Sequence, residues 1–250
     1  MEAYTDFATI YDKFMEETPY DEWCENIIEE LKKEGITDGL VCELGAGTGE
    51  MTRRLSLAGF DMIGIDNSEE MLLVAREKKG GDNDILYLCQ DMREFELYGT
   101  VRAIVSVCDC VNYLLNKDEL IETFKLVNNY LDPKGLFIFD FNTRYKYEEV
   151  IGECTIAENR EDESFIWENY FDEETAINEY DITFFVREGK SEHFKRFTET
   201  HLQRGYCFEE MKEMINASGL EYVKAFDADT KGEVTASSER IVMIARECGK

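Results

Sequence analysis

Short apolar runs and longer helical patterns alternate along the first part of the chain. The apolar runs are rich in Val, Ile, Leu and Phe, and they predict buried strands at 40–44, 60–65, 84–89, 101–107 and 135–141. Segments with helical periodicity lie before and between these runs, and they predict helices at 5–16, 20–34, 50–58, 68–78 and 117–131. Strands that alternate with helices are typical of an α/β fold with a mostly parallel sheet.

The pattern changes between residues 143 and 204. Alternating, aromatic-rich segments are separated there by turns at Asp172-Glu173-Glu174 and Glu188-Gly189-Lys190, which predicts an antiparallel β insertion. A helix at 207–218 and strands at 220–226 and 240–246 then return the chain to the main sheet. We therefore predict a core formed by residues 1–142 and 205–250 and a small insertion formed by residues 143–204.

Composition and charge narrow the classes of function. The chain has 250 residues, of which 44% are apolar, and this is enough for one packed domain that carries an insertion. It has 55 acidic and 27 basic side chains, and its net charge of -28 would repel the phosphate backbone of a nucleic acid. The same charge opposes close association between copies, so we expect a monomer rather than a homodimer, for which the insertion could supply a surface.

Cysteine spacing and hydropathy exclude further classes. Eight cysteines are scattered without a C-x-x-C pair, and only two histidines accompany them. We therefore expect reduced thiols in the core and no metal site. No apolar stretch is long enough to span a bilayer, and the first residues are acidic and mixed, so we expect a cytoplasmic protein without membrane contact.

A glycine turn follows the first predicted strand, in the segment V-C-E-L-G-A-G-T-G-E at 41–50. Such a turn lets the backbone approach a ligand, and the next helix offers unpaired N–H groups at its start. The dinucleotide fingerprint needs a glycine at position 50, where this chain has Glu50. Glu43 and Glu50 would repel a pyrophosphate, but they suit a ligand with hydroxyls, an ammonium and a sulfonium. The turn therefore predicts a site for S-adenosylmethionine.

Carboxylates stand at the ends of four consecutive predicted strands. They are Glu43, Asp66, Asp91 and Asp109. The carboxyl ends of parallel strands meet at one edge of the sheet, where open α/β sheets bind their ligands. Asp66 ends the second strand, where a carboxylate can accept hydrogen bonds from both hydroxyls of a ribose. Surface acids are the competing explanation for each of these residues taken singly, because the whole chain is acidic.

With these motifs, residues 4–142 resemble a class I S-adenosylmethionine-dependent methyltransferase. The matching pieces are E-L-G-A-G-T-G at 43–49, G-I-D-N-S at 64–68, Q-D-M at 90–92 and C-D-C-V-N-Y-L at 108–114. The resemblance implies a Rossmann-like, seven-stranded, mostly parallel sheet with helices on both faces and an antiparallel last strand. It also implies that the insertion forms a lid over the acceptor site.

The resemblance further implies roles for individual residues. The glycine turn would hold the methionine end of the cofactor, Asp91 would accept from the adenine amino group, and the Met92 backbone N–H would meet a ring nitrogen. Tyr11, in F-A-T-I-Y-D at 7–12, would close over the cofactor carboxylate, although core packing is an even rival for this aromatic residue. The predicted cofactor-binding set is Tyr11, Glu43, Gly45, Ala46, Gly47, Gly49, Asp66, Asn67, Met71, Asp91, Met92, Cys108 and Asp109.

The acceptor site is predicted from residues near the same edge. His201 and Glu199 are candidates for a general base, and for His201 a structural role in a strand is an equal alternative. Candidates for acceptor contact are Asn112, Tyr113, Asn142 and Arg144, of which the last two could instead brace the lid. Strand alternation requires half of the aromatic residues in the insertion to face its own core, and the others could wall an apolar pocket. The six residues are Phe165, Trp167, Tyr170, Phe171, Phe184 and Phe185.

Four functions are compatible with this pattern. The leading hypothesis is transfer of a methyl group to a nitrogen or oxygen of a small-molecule acceptor. A tRNA-modifying enzyme is the main alternative, and it would need the basic residues Arg187, Lys190, Lys195, Arg196 and Arg204 to gather on one face. A module that binds the cofactor without catalysis and an aminopropyl transferase, which would use a decarboxylated cofactor, are the other two.

Overall fold

The computed structural model describes residues 3–78 and 85–250 and, within these ranges, the side chains of residue 8 and of residues 10 onward. Six α-helices belong to these ranges: α1 (Ala3–Phe14), α2 (Tyr20–Lys33), α3 (Glu50–Leu57), α4 (Glu69–Glu77), α5 (Lys117–Tyr130) and α6 (Phe208–Ala217). A short 3₁₀-helix covers Cys110–Tyr113, and a π-helix covers Lys146–Ile151. The strands are β1 (Leu40–Leu44), β2 (Asp61–Asp66), β3 (Leu86–Cys89), β4 (Val101–Ser106), β5 (Leu131–Asn142), β6 (Thr155–Asn159), β7 (Glu163–Asp172), β8 (Ile177–Arg187), β9 (Phe194–Arg204), β10 (Glu221–Asp227) and β11 (Arg240–Arg246).

Seven of these strands form the main sheet, in the order β10-β11-β5-β4-β1-β2-β3. β11 runs antiparallel to both of its neighbours, and the remaining pairs of the sheet are parallel. β1 lies between β2 and β4, so the chain leaves it in one direction and later returns to its other side. This switch point is where parallel sheets bind ligands. The predicted Rossmann-like, seven-stranded sheet with an antiparallel last strand is confirmed.

Helices cover both faces of the main sheet because successive strand residues point to opposite sides. Val41 packs in a cluster with residues of α2 and α3, whereas Cys42 and Leu44 pack with residues of α5 and α6. α4 packs on Tyr87 of β3 through Leu72 and Ala75. Glu43 occupies a position on the same face as Val41, so its carboxylate is buried beneath α3 rather than exposed at the end of the strand.

The strands β6 to β9 form a separate antiparallel sheet, which we call the insertion sheet. Its turns fall where the sequence predicts them, after Asp172 and after Arg187. Phe184 of β8 and Phe197 of β9 pack together with Ile10 of α1. One face of the insertion sheet therefore lies against α1.

Most boundaries differ from the predicted ones by one or two residues, and the largest difference is at the start of β5. α5 ends at Tyr130, just before the predicted stop at Asp132-Pro133, but β5 begins at once at Leu131 instead of at residue 135. A register shift between β4 and β5 accommodates the intervening residues, because a bulge is where a strand tolerates proline. Residue 84, the predicted first residue of the third strand, lies outside the described residues.

In the described ranges, no helix has the length and apolar character required to cross a membrane.

Candidate cofactor and acceptor site

The glycine turn after β1 has the backbone conformation that only glycine adopts without strain. The φ angles of Gly45, Gly47 and Gly49 are 77°, 52° and 78°. The N–H groups of Gly45 and Ala46 donate to the Ile65 carbonyl at 2.8 and 2.9 Å, which joins the turn to the end of β2. A Cβ on Gly45 would collide with the Cys110 thiol, so this glycine brings the turn against the segment after β4.

Gly47 and Asp66 form the open part of this turn. Among the described residues, no heavy atom lies within 4 Å of the place where a Cβ of Gly47 would stand. The Gly47 N–H donates to Asp66 Oδ2 at 2.7 Å, and the Ser68 N–H donates to Oδ1 at 2.9 Å. Burial raises the pKa of Asp66, and the two backbone N–H groups oppose that rise. The carboxylate is thus fixed beside open space, with lone pairs left for a ribose.

Glu43 lies below the turn and does not reach this open space. Its side chain is 2% exposed and accepts a hydrogen bond from the Thr52 hydroxyl of α3. Burial raises the pKa of Glu43 to about 8, while the Thr52 hydroxyl opposes the rise and the charge of Asp66 adds to it. Glu43 therefore ties α3 to β1 under the turn, and its predicted contact with the cofactor stays a prediction.

α1 is fastened onto the glycine turn by a charged cluster. The Thr48 hydroxyl donates to Asp12 Oδ1 at 2.5 Å, and Lys78 Nζ lies 2.5 Å from Asp12 Oδ2 and 2.7 Å from Glu50 Oε1. The preceding residue, Tyr11, packs in one apolar cluster with Met71, a second predicted cofactor residue, which belongs to α4. Burial is the main cause that raises the pKa of Tyr11. Both residues pack against the cluster that joins α1 to the insertion sheet, and their contact with the cofactor stays a prediction.

The predicted adenine-binding residues are held by local contacts. Both oxygens of Asp91 accept from the Arg93 guanidinium, at distances from 2.6 to 3.1 Å, and this bond is the main cause that lowers the pKa of Asp91. Met92 packs against the core between the sheet and α5. Asn67 is exposed, and its carbonyl accepts from the Cys89 thiol at 3.8 Å. The roles of these three residues toward adenine stay predictions.

The turn after β4 is strained, and residues that the sequence analysis missed stabilise it. Cys108 and Asp109 have left-handed φ angles of 62° and 52°, which cost energy outside glycine. Asp140 accepts both of their N–H groups, at 3.2 and 2.7 Å. Arg240 bonds Asp140 at 3.2 Å and Asp109 at 2.7 Å, and Gln203 donates to Asp109 at 2.7 Å.

This arrangement gives Asp109 partners within the protein. Its carboxylate joins the main sheet, through Arg240, to the insertion sheet, through Gln203. Burial raises the pKa of Asp140, and Arg240 opposes the rise. Asp140 lies inside the apolar run F-I-F-D-F at 137–141, which by itself indicates a buried acid that needs a partner. The sequence does not identify that partner, because Arg240 lies a hundred residues further along the chain.

The residues predicted to contact the acceptor have different surroundings. Asn112 is fully buried, donates to the carbonyls of Asn142 and Arg204 at 2.8 and 2.7 Å, and accepts from the Asn142 N–H at 2.9 Å. The side chain of Asn142 bonds Tyr147 at 3.1 Å, and Arg144 forms an ion pair with Glu148 at 2.7 Å. Asn112, Asn142 and Arg144 thus brace the entry to the insertion, and acceptor contact stays a prediction for them.

Tyr113 and His201 are brought together across the two sheets. The Tyr113 hydroxyl lies 3.0 Å from His201 Nδ1 and 3.4 Å from the Tyr180 hydroxyl. The Tyr180 ring stacks on His201 at 5.1 Å and meets Trp167 at 5.0 Å. Burial lowers the pKa of His201, while the charge of Asp109 opposes the change, so the imidazole is neutral at pH 7 and able to accept a proton.

Strand register divides the predicted aromatic wall into two faces. Paired residues of β7, β8 and β9 place Phe165, Trp167, Phe171 and Phe184 on the face that carries Phe197, Glu199 and His201. Tyr170 and Phe185 lie on the opposite face, and Tyr170 is 57% exposed. Strand alternation therefore divides the six residues four to two between the faces, instead of into the predicted halves.

Glu199, the second candidate base, is buried on this inward face. Its side chain is 5% exposed, and its Oε1 has no hydrogen-bond partner in the part of the chain that the structure describes. Burial raises the pKa of this carboxyl. The other histidine, His193, lies in the exposed turn between β8 and β9.

The residues around the glycine turn fit S-adenosylmethionine. Gly47 leaves open space beside the fixed carboxylate of Asp66, and the lysine at the turn, Lys78, is already paired with Asp12 and Glu50. A glycine turn beneath a strand-end carboxylate, at the switch point of a parallel sheet, defines a nucleoside-binding α/β protein. Its acids favour a ligand that carries a sulfonium and an ammonium over one that carries a pyrophosphate.

Known proteins identify the family. A family model described as "Methyltransferase domain" matches residues 41–135. The chain is 39% identical over 245 residues to YqeM of Bacillus subtilis (strain 168), which carries a provisional methyltransferase name, and the match covers 98% of this chain and 97% of that protein. The chain therefore belongs to the S-adenosylmethionine-dependent methyltransferases. Its cofactor is S-adenosylmethionine.

Two solved structures have the same fold. An S-adenosylmethionine-dependent methyltransferase from Clostridium acetobutylicum ATCC 824 is 30% identical, with a TM-score of 0.87 over 99% of this chain and 100% of that chain. CalS10 from Micromonospora echinaspora, an amino pentose methyltransferase solved with S-adenosylmethionine bound, is 16% identical, with a TM-score of 0.72 over 91% of each chain. At 16% identity, the similarity to CalS10 shows a shared fold only.

Proposed function

We propose that this methyltransferase acts on a nitrogen or oxygen of a small-molecule acceptor, which binds between the carboxyl edge of the main sheet and the insertion sheet. The contact of Tyr113 with His201, at 3.0 Å, carries the proposal. It closes the aromatic face of the insertion sheet against the turn after β4, next to the cofactor-binding residues. An aromatic face that is closed in this way suits a small molecule better than a polymer. In this proposal residues 143–204 act as the lid of the acceptor site.

The cofactor supplies a methyl group that is already activated on a sulfonium. The acceptor atom bonds to the methyl carbon while the carbon–sulfur bond breaks, and the electron pair of that bond stays on sulfur. The protein mainly aligns the acceptor and excludes water, and alignment of this kind contributes roughly 7–11 kcal/mol. His201 is the general base in this proposal, because its lowered pKa leaves the ring neutral and Tyr113 orients it.

The charge distribution favours this function over action on tRNA. Arg187 forms an ion pair with Asp162 at 2.8 Å, and Arg204 lies 3.7 Å from Glu210. Arg187 and Arg196 share the outward face of the insertion sheet with Glu179 and Asp181. A polyanion would meet acids between these bases, and the net charge of -28 adds repulsion over a longer range.

Methyl-group labelling tests the proposal directly. The enzyme and S-adenosylmethionine with a labelled methyl group are incubated separately with small-molecule, RNA and protein fractions of a bacterial extract. We expect label in the small-molecule fraction only. Label in RNA would favour the tRNA-modifying alternative, and binding of the cofactor without transfer to any fraction would favour a non-catalytic binding module.

A further inference from the structure

Glu199 lies midway along β9, an edge strand of the insertion sheet, and its side chain belongs to the inward face. On β9 it stands between Phe197 and His201, which point to the same side, and on β8 its paired residue is Ile182. Trp167 of β7 pairs with Ile182 from the other side. Glu199 is therefore surrounded in the sheet by apolar and aromatic side chains.

Both sides of Glu199 reach the proposed active site. Phe197 belongs to the apolar cluster against which Tyr11 and Met71, two of the predicted cofactor residues, are packed. His201, on the other side, contacts Tyr113 beside the turn after β4. The carboxylate thus faces the region between the cofactor residues and the candidate base.

This carboxylate lacks the cation that a buried acid normally has. Within the described residues, no lysine or arginine forms an ion pair with Glu199, and its Oε1 has no hydrogen-bond partner although it is shielded from solvent. Other buried acids of the fold have partners within the chain: Asp140 pairs with Arg240, Glu30 pairs with Lys224, and Glu43 accepts from the Thr52 hydroxyl. An unpaired buried carboxylate is costly to keep, so its position indicates a partner that is supplied from outside the chain.

The surroundings of Glu199 define the chemistry of that partner. Trp167, Tyr180 and His201 form a continuous row of aromatic rings next to the carboxylate. A carboxylate beside aromatic rings is the combination by which proteins hold organic ammonium groups. The overall negative charge of the chain also raises the local concentration of cations.

We propose that the methyl acceptor is a small organic amine, that it enters as an ammonium ion, and that Glu199 is its counter-ion beside the row of aromatic rings. This inference rests on the proposed function, because it specifies the acceptor of the same site. The ammonium gives one proton to His201, and the freed lone pair of the nitrogen bonds to the methyl carbon. The carbon–sulfur bond breaks, its electron pair returns to sulfur, and the products are the N-methylated amine and S-adenosylhomocysteine.

Fractionation of a small-molecule extract tests the acceptor class with the full-length enzyme. A bacterial extract free of RNA and protein is divided on a cation exchanger at neutral pH, and each fraction is incubated with enzyme and methyl-labelled cofactor. We expect label only with the retained fraction, and mass spectrometry should place the added methyl group on nitrogen. Label only with neutral or anionic compounds overturns the amine inference and leaves the proposed function intact. Label in no small-molecule fraction overturns both.

Variants of Glu199 test its role as counter-ion. With the acceptor from the active fraction, Glu199→Gln should raise KM roughly 10- to 150-fold, which corresponds to the loss of a charge-assisted hydrogen bond. Affinity for S-adenosylmethionine, measured by calorimetry, should stay within about twofold. Glu179→Gln is the matched control, because Glu179 is an exposed acid on the opposite face of the same sheet.

A conservative variant separates charge from packing. Glu199→Asp keeps the negative charge, so its KM should lie between those of the wild type and Glu199→Gln. Thermal unfolding of each variant shows whether the insertion sheet is intact. An unchanged KM in a folded Glu199→Gln enzyme would overturn the inference, as would equal defects in the Gln and Asp variants.

Discussion

The backbone N–H of Gly47 donates to the carboxylate of Asp66 at 2.7 Å, so the glycine turn of β1 and the acidic end of β2 form one rigid unit. The open space beside Gly47 lies next to this bond. A methyl group at Gly47 would enter that space, while the backbone could keep its conformation at a strain of about 1–2 kcal/mol. Cofactor binding should therefore suffer more than folding.

We expect Gly47→Ala to lower affinity for S-adenosylmethionine by tenfold or more, with the free energy of unfolding reduced by about 1–2 kcal/mol. Gly35→Ala is the control: its φ is 76°, and a Cβ there meets no described heavy atom within 4 Å, but it precedes β1 at the other edge of the sheet. Calorimetry and urea unfolding give the two quantities. Equal losses of affinity in both variants would mean that strain, not the cofactor, explains the effect.

Arg240 should be essential for the turn after β4, because it is the cation between Asp109 and Asp140. Arg240→Met would leave two largely buried carboxylates facing each other, and we expect it to lower the free energy of unfolding by about 3–5 kcal/mol. Arg246→Met is the control on the same strand, where a partly exposed pair with Glu34 should contribute at most about 1 kcal/mol.

The same variant has a second readout at the site. Because Asp140 holds the N–H groups of Cys108 and Asp109, loss of Arg240 should also weaken cofactor binding. Adding Asp140→Asn removes one of the repelling charges, so the double variant should regain part of the stability. Urea denaturation of the three variants checks this, and similar small effects for Arg240 and Arg246 would contradict it.

Glu43 should make stability fall as pH rises. Its folded pKa of about 8 lies above the ordinary value of 4.5, so the folded state binds the extra proton between these two values. The stabilisation is complete below about pH 4.5 and is lost as pH rises through 8. Glu43→Gln lacks this titration, and its glutamine oxygen can still accept from Thr52.

We therefore expect the stability of the wild type, measured relative to Glu43→Gln, to decrease between pH 5 and pH 9. The decrease should exceed about 1.4 kcal/mol, the value of one pKa unit. Thermal or urea unfolding across this range measures it. A difference that stays constant with pH would show that Glu43 is ionised in the folded protein throughout.

Asp12 should control release of the cofactor, because it joins α1 to the glycine turn through Thr48 and Lys78. Asp12→Asn removes the ion pair and weakens the bond to Thr48, at a cost of about 1 kcal/mol for a partly exposed pair. We expect S-adenosylmethionine to dissociate about three- to tenfold faster. Glu16→Gln is the control, since Glu16 is an exposed residue after α1 with a pair 3.9 Å long to Arg160. Stopped-flow displacement measures the dissociation rates. Equal rates in both variants would show that the contacts of Asp12 do not control release of the cofactor.

The main sheet and the glycine turn could be predicted from the sequence because they depend on local order. The apolar runs around 40–44 and 101–107 are buried on both faces, and each glycine of the turn is needed for a left-handed φ angle. The position of Asp66 could be predicted for the same reason, since it directly ends a strand that neighbours the turn. Periodicity and strand ends carry this information within a few residues.

The remaining parts of the site depend on contacts between distant segments. Arg240 meets Asp109 and Asp140 only because β11 inserts beside β5, and His201 meets Tyr113 only because of the register of β8 and β9. The hydrophobic pattern of a single strand determines neither the pairing of β11 with β5 nor the register of β8 and β9. The unpaired carboxylate of Glu199 is likewise visible only after the residues around it have been placed.

His201 should determine the acidic limb of the pH–rate profile. Burial lowers its pKa below the ordinary value of about 6.5, and the base must be neutral, so kcat should fall only as pH drops below about 6.5. His201→Ala should reduce kcat about 10²- to 10⁴-fold and abolish this limb, without a comparable change in cofactor affinity. Tyr113→Phe keeps the ring but removes the hydroxyl at 3.0 Å from Nδ1, so it should reduce kcat less and retain the limb. Rates measured from pH 5 to pH 9 with the acceptor identified by labelling decide the matter: an unchanged acidic limb in His201→Ala would assign the titration to another group and leave His201 a structural role in β9.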